Sequence, residues 1–187
     1  MRRIVVIDYD PAWPLVFEGL RARVWAVLGD FALAIEHIGS TSVPGLAAKP
    51  IIDMSVVVQF PGQIPLAIER LATLGYVHRG NLGVEGREAF QSPPELPAHH
   101  LYVCPKGSLG LTNPLALRDY LRVHPDVAHA YGGLKKTLAS EFPDDIDGYI
   151  DGKTNLILGI LRKVGFSPDQ LDAIEKTNRR PSSSGAS

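Results

Sequence analysis

The spacing of apolar positions predicts an amphipathic helix near the start of the chain. Between Pro14 and Gly29, apolar residues recur every three or four positions, which is the period of an α-helix. A second helix with the same spacing begins at Pro65 and ends at Gly75. The apolar positions of the first helix are Trp13, Phe17, Leu20, Val24, Val27 and Leu28, and those of the second are Ile64, Ile68, Leu71 and Leu74.

Short segments rich in β-branched and aromatic residues predict strands between and after these helices. The segment 50–58 is almost continuously apolar, so we expect a strand that is buried on both faces. The other predicted strands are 33–38, 75–79, 88–92 and 99–103.

The last third of the chain is predicted to be helical, over about 112–166. Asn113 and Pro114 have the residue types of a helix start, Pro125 opens another helix, and 145–164 repeats apolar residues at helical spacing. The chain therefore has the pattern of a single α/β (α+β) domain over 1–175. The polar, low-complexity residues 176–187 are expected to form a disordered tail.

Charge and cysteine content narrow the classes of partner. Nineteen basic and twenty acidic residues give a net charge of -1, so no broad field favours nucleic acid or an anionic membrane. The single cysteine, Cys104, excludes an internal disulfide framework and fits a reducing compartment. The chain has no apolar run of about 18 residues and too few apolar residues at its start for a signal peptide. We therefore expect a cytoplasmic protein.

One stretch, "EHIGSTSVPGLAAKPIID" at 36–53, combines a glycine turn with an acidic residue in the middle of a hydrophobic run. It has neither the spacing of a Walker loop nor that of a nucleophile elbow. Gly39 lets a ligand approach the backbone, Ser40 and Thr41 offer hydroxyl donors, and Asp53 suits a divalent ion, so the stretch fits a phosphate site. An ordinary turn followed by a satisfied buried carboxylate fits the same residues.

The longer stretch "EHIGSTSVPGLAAKPIIDM" resembles the signature of the GrpB family, which belongs to the nucleotidyltransferase fold superfamily. The pieces "YDPAWP", "HLYV", "LRDYLR", "YGGLKK" and "YIDGK" resemble the family in the same order, so the likeness covers about 7–166. This resemblance implies a nucleotidyltransferase-like mixed β-sheet with flanking helices, a Gly-Ser loop and an acidic strand.

The resemblance also implies a metal-dependent site, from which this sequence departs. Such enzymes usually carry Asp-x-Asp or Asp-x-Glu and a third carboxylate, so that two metal ions hold the triphosphate. Here Ser55 stands at the second position, and the neighbouring strand offers His100 and Tyr102. Asp53 and His100 are therefore the candidate catalytic residues and metal ligands, with Mg or Mn expected and Zn as the alternative.

The helical third contains two Tyr-x-x-x-Lys patterns, Tyr131 to Lys135 and Tyr149 to Lys153. Both lysines share a helix face with apolar residues, so they are predicted to face the protein and to bind phosphate. In the alternative, their stems cover apolar surface while the ammonium groups reach water. Two further cationic residues, Lys49 and Arg118, are predicted to join them, although Arg118 is equally placed to pair with Asp119.

Two functions follow from these residues. The first is a nucleotidyltransferase-like enzyme that transfers a nucleotidyl group from a nucleoside triphosphate to an unknown small-molecule acceptor with a divalent metal. The alternative is a module that binds a nucleotide or another phosphorylated metabolite and has lost transfer chemistry. The departure at Ser55 is the feature on which the choice depends.

Overall fold

The computed structural model describes residues 3–179, which form a five-stranded sheet with helices around it. The strands are β1 Ala32–Ile38, β2 Ile52–Val58, β3 Val77–His78, β4 Glu88–Gln91 and β5 His99–Pro105. The α-helices are α1 Trp13–Leu28, α2 Ile64–Ala72, α3 Leu109–Val123, α4 Pro125–Glu141, α5 Ile146–Lys163 and α6 Pro168–Asn178. The sheet order is β1-β2-β5-β4-β3, in which β2 and β5 run parallel and the other neighbours antiparallel. The mixed α/β class predicted from the sequence is confirmed.

The two faces of the sheet pack against different helices because side chains alternate along each strand. Ile52, Met54 and Val56 of β2 lie in one core with residues of α1 and α2. Val57, on the opposite face, packs with Leu111 of α3. Asp53 alternates with the first set and therefore faces the helical C-terminal half.

The helical half has a separate apolar core formed by α3, α4, α5 and α6. Helix α5 approaches α4 closely because Gly152 has no side chain: a Cβ there would overlap the Leu138 side chain. This close approach brings the inner faces of the two helices together. Within residues 3–179, no helix is both long enough and apolar enough to cross a membrane.

Helix α3 begins earlier than the sequence pattern predicts. Its first residue is Leu109, so Asn113 and Pro114 lie inside the helix rather than at its start. Pro114 is tolerated there although it cannot donate a hydrogen bond to the Gly110 carbonyl. The helix start is fixed instead by a long-range contact, in which the Ser108 hydroxyl donates to the Gly86 carbonyl at 2.7 Å.

Helix α6 was not predicted from the sequence. It begins with a capping box, in which Ser167 accepts from the Gln170 amide and the Gln170 side chain accepts from the Ser167 amide. Pro168 occupies the first helical position, where its missing amide hydrogen costs nothing. The tail predicted from 176 overlaps α6 as far as Asn178, and residues 180–187 lie outside the described range.

Candidate functional site

A cavity of about 370 Å³ lies between the sheet and the helical half. We call it the cation pocket because five cationic side chains line it. These are Lys49, Arg87, Arg118, Lys135 and Lys153. Asp53 is the only acidic residue among its described lining. All the residues predicted as site residues line this one cavity: Gly39, Ser40, Thr41, Lys49, Asp53, His100, Arg118, Lys135 and Lys153.

The turn after β1 lies directly against the Asp53 carboxylate. Gly39 has a φ of 68°, in the left-handed region that favours glycine. A Cβ at this position would overlap Asp53 Oδ2 and lie 2.9 Å from the Asp53 Cβ. The glycine therefore allows the Gly-Ser turn to cross the N-terminal end of β2, which places Ser40 and Asp53 in the same cavity.

Asp53 and His100 are neighbours in the parallel register of β2 and β5. The His100 ring donates from Nδ1 to Asp53 Oδ1 at 2.8 Å. The Asp53 side chain is 28% exposed and the His100 side chain is 49% exposed, so both are accessible from the cavity. With Nδ1 protonated, His100 Nε2 in the neutral ring is an acceptor, which suits a base or a metal ligand.

The carboxylates needed for a two-metal centre are not brought together. Ser55 is fully buried, between Glu36 of β1 and Tyr102 of β5 in the strand register. Glu36 is on the same face, but its carboxylate accepts from Arg118 Nη1 at 2.7 Å. No group of three His, Cys, Asp or Glu side chains within residues 3–179 is arranged to hold a metal ion. The residues therefore do not fit a two-metal centre.

Three lysines of the cation pocket form no salt bridge with any residue in 3–179, although the charge of Asp53 acts on all three. Lys135 is 2% exposed and its Nζ has no hydrogen-bond partner among the described residues. Burial, followed by the nearby charge of Lys153, lowers the pKa of Lys135 to about 7. Burial and the charge of Lys49 lower the pKa of Lys153 to about 8, and burial also lowers the pKa of Lys49. The alternative in which the ammonium group reaches water therefore does not hold for Lys135.

Each of these ammonium groups makes a cation–π contact with a tyrosine ring. Lys135 Nζ lies 4.6 Å from the centre of the Tyr131 ring. Lys153 and Lys49 lie 5.0 and 5.5 Å from the centre of the Tyr149 ring. Cation–π contacts of this kind stabilise a charged amine by about 0.5–2 kcal/mol, depending on its desolvation. They hold the lysines in place, and the Lys135 ammonium still has no hydrogen-bond partner among the described residues.

Two predicted phosphate ligands are engaged with the protein itself. Arg118 donates from Nε to Asp119 and from Nη1 to Glu36 and the His37 carbonyl. These bonds fix α3 against β1 and, among the described contacts, leave only Nη2 for a ligand. The Thr41 hydroxyl is buried and bonds His37 Nε2 at 3.0 Å, so it anchors the turn from within.

Arg87 and Tyr102 line the cavity but were not predicted as site residues. The Arg87 guanidinium lies 4.5 Å from the centre of the Tyr102 ring, and its Nε is buried without a partner among the described residues. Burial raises the pKa of the Tyr102 phenol. Arg87 lies two residues before Ala89, which pairs with Tyr102 in the β4–β5 register. This pairing between distant parts of the sequence brings Arg87 to the site. The spacing of residues near Arg87 does not predict its position there.

Comparison with known proteins identifies the family. The chain matches the family model described as GrpB protein over residues 3–163. The chain belongs to the GrpB family. The UPF0157 protein YqkA of Bacillus subtilis is 39% identical over 156 residues, which is 83% of this chain and 46% of YqkA. The chain thus spans about half the length of that relative. The crystal structure of the conserved protein GrpB from Enterococcus faecalis matches with a TM-score of 0.76 and 36% identity, over 92% of this chain and 98% of that one.

More distant solved structures bear on the fold alone. The structure of the GLD-2/RNP-8 complex matches with a TM-score of 0.53 and 10% identity, over 88% of this chain and 64% of that chain. A weaker match, with a TM-score of 0.47 and 12% identity, is the Cid1 poly(U) polymerase bound to MgATP, over 70% of this chain and 45% of that chain. The first of these two matches shows a shared fold, and the chemistry is a separate question.

Proposed function

We propose that the cation pocket binds the phosphate groups of a nucleotide or another phosphorylated small molecule. The observation that carries this proposal is the Lys135 ammonium, which is buried and has no hydrogen-bond partner among the described residues. A buried cation without a partner is costly in the free protein. A phosphate oxygen supplies both the missing acceptor and the missing charge.

The balance of charge around the cavity supports an anionic ligand. Of the five cationic side chains, Arg118 is already paired with Glu36 and Asp119. Four therefore face the Asp53 carboxylate, which itself accepts a hydrogen bond from His100. Glu36, the nearest carboxylate by strand register, is paired with Arg118. The lysines are therefore available to a ligand that brings several negative charges, although the net charge of the chain is only -1.

Nucleotidyl transfer is the second candidate. The nucleotidyltransferase-like fold and the hydrogen-bonded Asp53 and His100 favour it, because His100 is accessible and suited to accept a proton from an acceptor hydroxyl. The burial of Ser55 and the pairing of Glu36 weigh against it. Phosphate binding requires neither missing carboxylate, so it is the function that the geometry supports best.

The experiment is a titration of wild type, Lys135→Met and Asp53→Asn with sodium tripolyphosphate. Calorimetry measures the affinity, and Lys136→Met, the exposed neighbour on α4, serves as the matched control. We expect Lys135→Met to weaken binding by about tenfold or more, which is the loss of roughly one charge-assisted hydrogen bond. We expect Asp53→Asn to bind equally or more tightly, because it removes the one negative charge from the cavity.

Equal affinity of wild type and Lys135→Met would overturn the binding proposal. The second candidate is tested by incubation with each nucleoside triphosphate and Mg, Mn or Zn, while pyrophosphate release is followed. Release by wild type that is lost in Asp53→Asn would establish transfer. Binding without release, with any of these metals, would exclude transfer from those substrates.

A further inference from the structure

A second cavity, of about 670 Å³, opens from the cation pocket. Asp53, Arg87, Tyr102 and Asn113 line both cavities, so the two meet at the Asp53 carboxylate. This volume lies in the range of small-molecule sites in proteins, about 300–1,000 Å³. A ligand that binds at the junction can therefore extend into both spaces.

The walls of the second cavity differ chemically from those of the cation pocket. They come from the loop 83–87, the first turn of α3 and one side of α6. Its described lining has no lysine and includes Leu109, Ile174 and Thr177, with one exposed carboxylate, Glu85. Apolar surface with a few polar side chains, among them the Glu85 carboxylate, suits an uncharged ring system that carries hydrogen-bond donors.

Arg87 lies at the boundary between the two cavities. Its guanidinium lies over the Tyr102 ring, and its buried Nε lacks an acceptor among the described residues. A phosphoester that passes from one cavity to the other would place an oxygen beside this donor. An unsatisfied buried donor is costly, so an oxygen acceptor here adds to the affinity.

We propose that the ligand is a phosphoester that fills both cavities, with its phosphate groups in the cation pocket and a nucleoside in the second cavity. This rests on the proposed function, because the cation pocket must hold the phosphates. Helix α6, which forms one wall, lies beyond residues 3–163 that match the family. The selectivity that this wall confers therefore belongs to a part of the chain outside the family match.

The test compares sodium tripolyphosphate with the four ribonucleoside triphosphates by calorimetry. Ala173→Trp, at an exposed position on α6, fills the mouth of the second cavity. Ala72→Trp, at an exposed position on α2, is the matched control. We expect at least one nucleotide to bind about tenfold or more tightly than tripolyphosphate, and Ala173→Trp to abolish that advantage while the affinity for tripolyphosphate is unchanged.

The outcomes separate this inference from the function on which it rests. If tripolyphosphate binds as tightly as every nucleotide, or if Ala173→Trp affects nucleotides no more than Ala72→Trp does, the nucleoside site is overturned and the phosphate site stands. If neither tripolyphosphate nor any nucleotide binds, both proposals are overturned. Loss of tripolyphosphate binding in Ala173→Trp would also overturn the assignment of the nucleoside to the second cavity.

Discussion

Gly39 and Asp53 lie so close together that even a methyl group on the glycine would overlap the carboxylate. Gly39 has the positive φ that glycine adopts without strain, and Asp53 lies at the beginning of β2. The turn and the strand therefore fit together only because residue 39 has no side chain. Any change at Gly39 must displace either the turn that carries Ser40 or the carboxylate.

We expect Gly39→Ala to lower the free energy of unfolding by more than the backbone strain alone. A residue with a Cβ in the backbone conformation of Gly39, φ 68° and ψ -175°, is strained by about 1–3 kcal/mol. Gly45→Ala is the matched control, because Gly45 also has a positive φ, 77°, but a Cβ there meets open space. Urea unfolding of the two variants measures the difference. Equal destabilisation would show that Asp53 tolerates the methyl group.

Lys135→Met is expected to stabilise the free protein while it weakens anion binding. Methionine has a similar shape, and the substitution removes a buried polar group that has no hydrogen bond among the described residues. Burying such a group costs about 1–3 kcal/mol, and this cost disappears in the variant. Unfolding of Lys135→Met and of the exposed control Lys136→Met measures this gain. A less stable Lys135→Met would mean that the ammonium has a partner that compensates for its burial.

Stability should rise with pH above about 7 because of the same lysines. The folded-state pKa of Lys135 is about 7 and that of Lys153 about 8, whereas an unfolded lysine has a pKa of about 10.4. The unfolded chain therefore binds more protons in this window, and the free energy of unfolding increases with pH. Well below pH 7 both lysines are protonated in both states, so their contribution no longer changes.

The comparison that isolates this effect is the pH slope of wild type against that of Lys135→Met. Urea unfolding between about pH 6 and 9.5 should give a shallower rise for the variant, since one of the lysines with a lowered pKa is gone. Identical slopes would mean that Lys135 titrates as an ordinary lysine.

Restoring a carboxylate at Ser55 is not expected to restore a metal site. Ser55 is fully buried, so Ser55→Asp places an uncompensated charge in the core and lowers the free energy of unfolding by about 2–4 kcal/mol. Ser55→Ala controls for the loss of the hydroxyl. Calorimetry with MgCl2 should detect no gain in binding. A folded Ser55→Asp protein that binds Mg would contradict this account.

Local sequence pattern predicted most of the fold. The apolar period located α1 and α2, and β-branched runs located β1 and β2, because each of these elements buries a regular set of side chains. The start of α3 was placed too late, because Ser108 and Gly86 determine it by a contact across 22 positions. Helix α6 was missed although Ser167, Pro168 and Gln170 form a recognisable start.

In the candidate site, too, the sequence predicted what depends on spacing within one element and missed what depends on contacts between elements. The Gly-Ser turn, Asp53 and the two Tyr-x-x-x-Lys patterns were identified from spacing within single elements. Their convergence on one cavity depends on strand register and on the close approach of α4 and α5 at Gly152. Arg87 was missed because only the pairing of β4 with β5 brings it beside Tyr102. The roles of these residues in binding stay predictions.

Ligand binding at Lys135, whose ammonium has no hydrogen-bond partner within residues 3–179, has a consequence for the amount of this protein in a cell. A ligand that binds only the folded state adds about 2.7 kcal/mol of stability when its concentration is a hundred times its dissociation constant. Cellular proteases remove molecules that unfold, so a gain of this size changes abundance several-fold. The level of the protein would therefore follow the supply of its phosphorylated ligand.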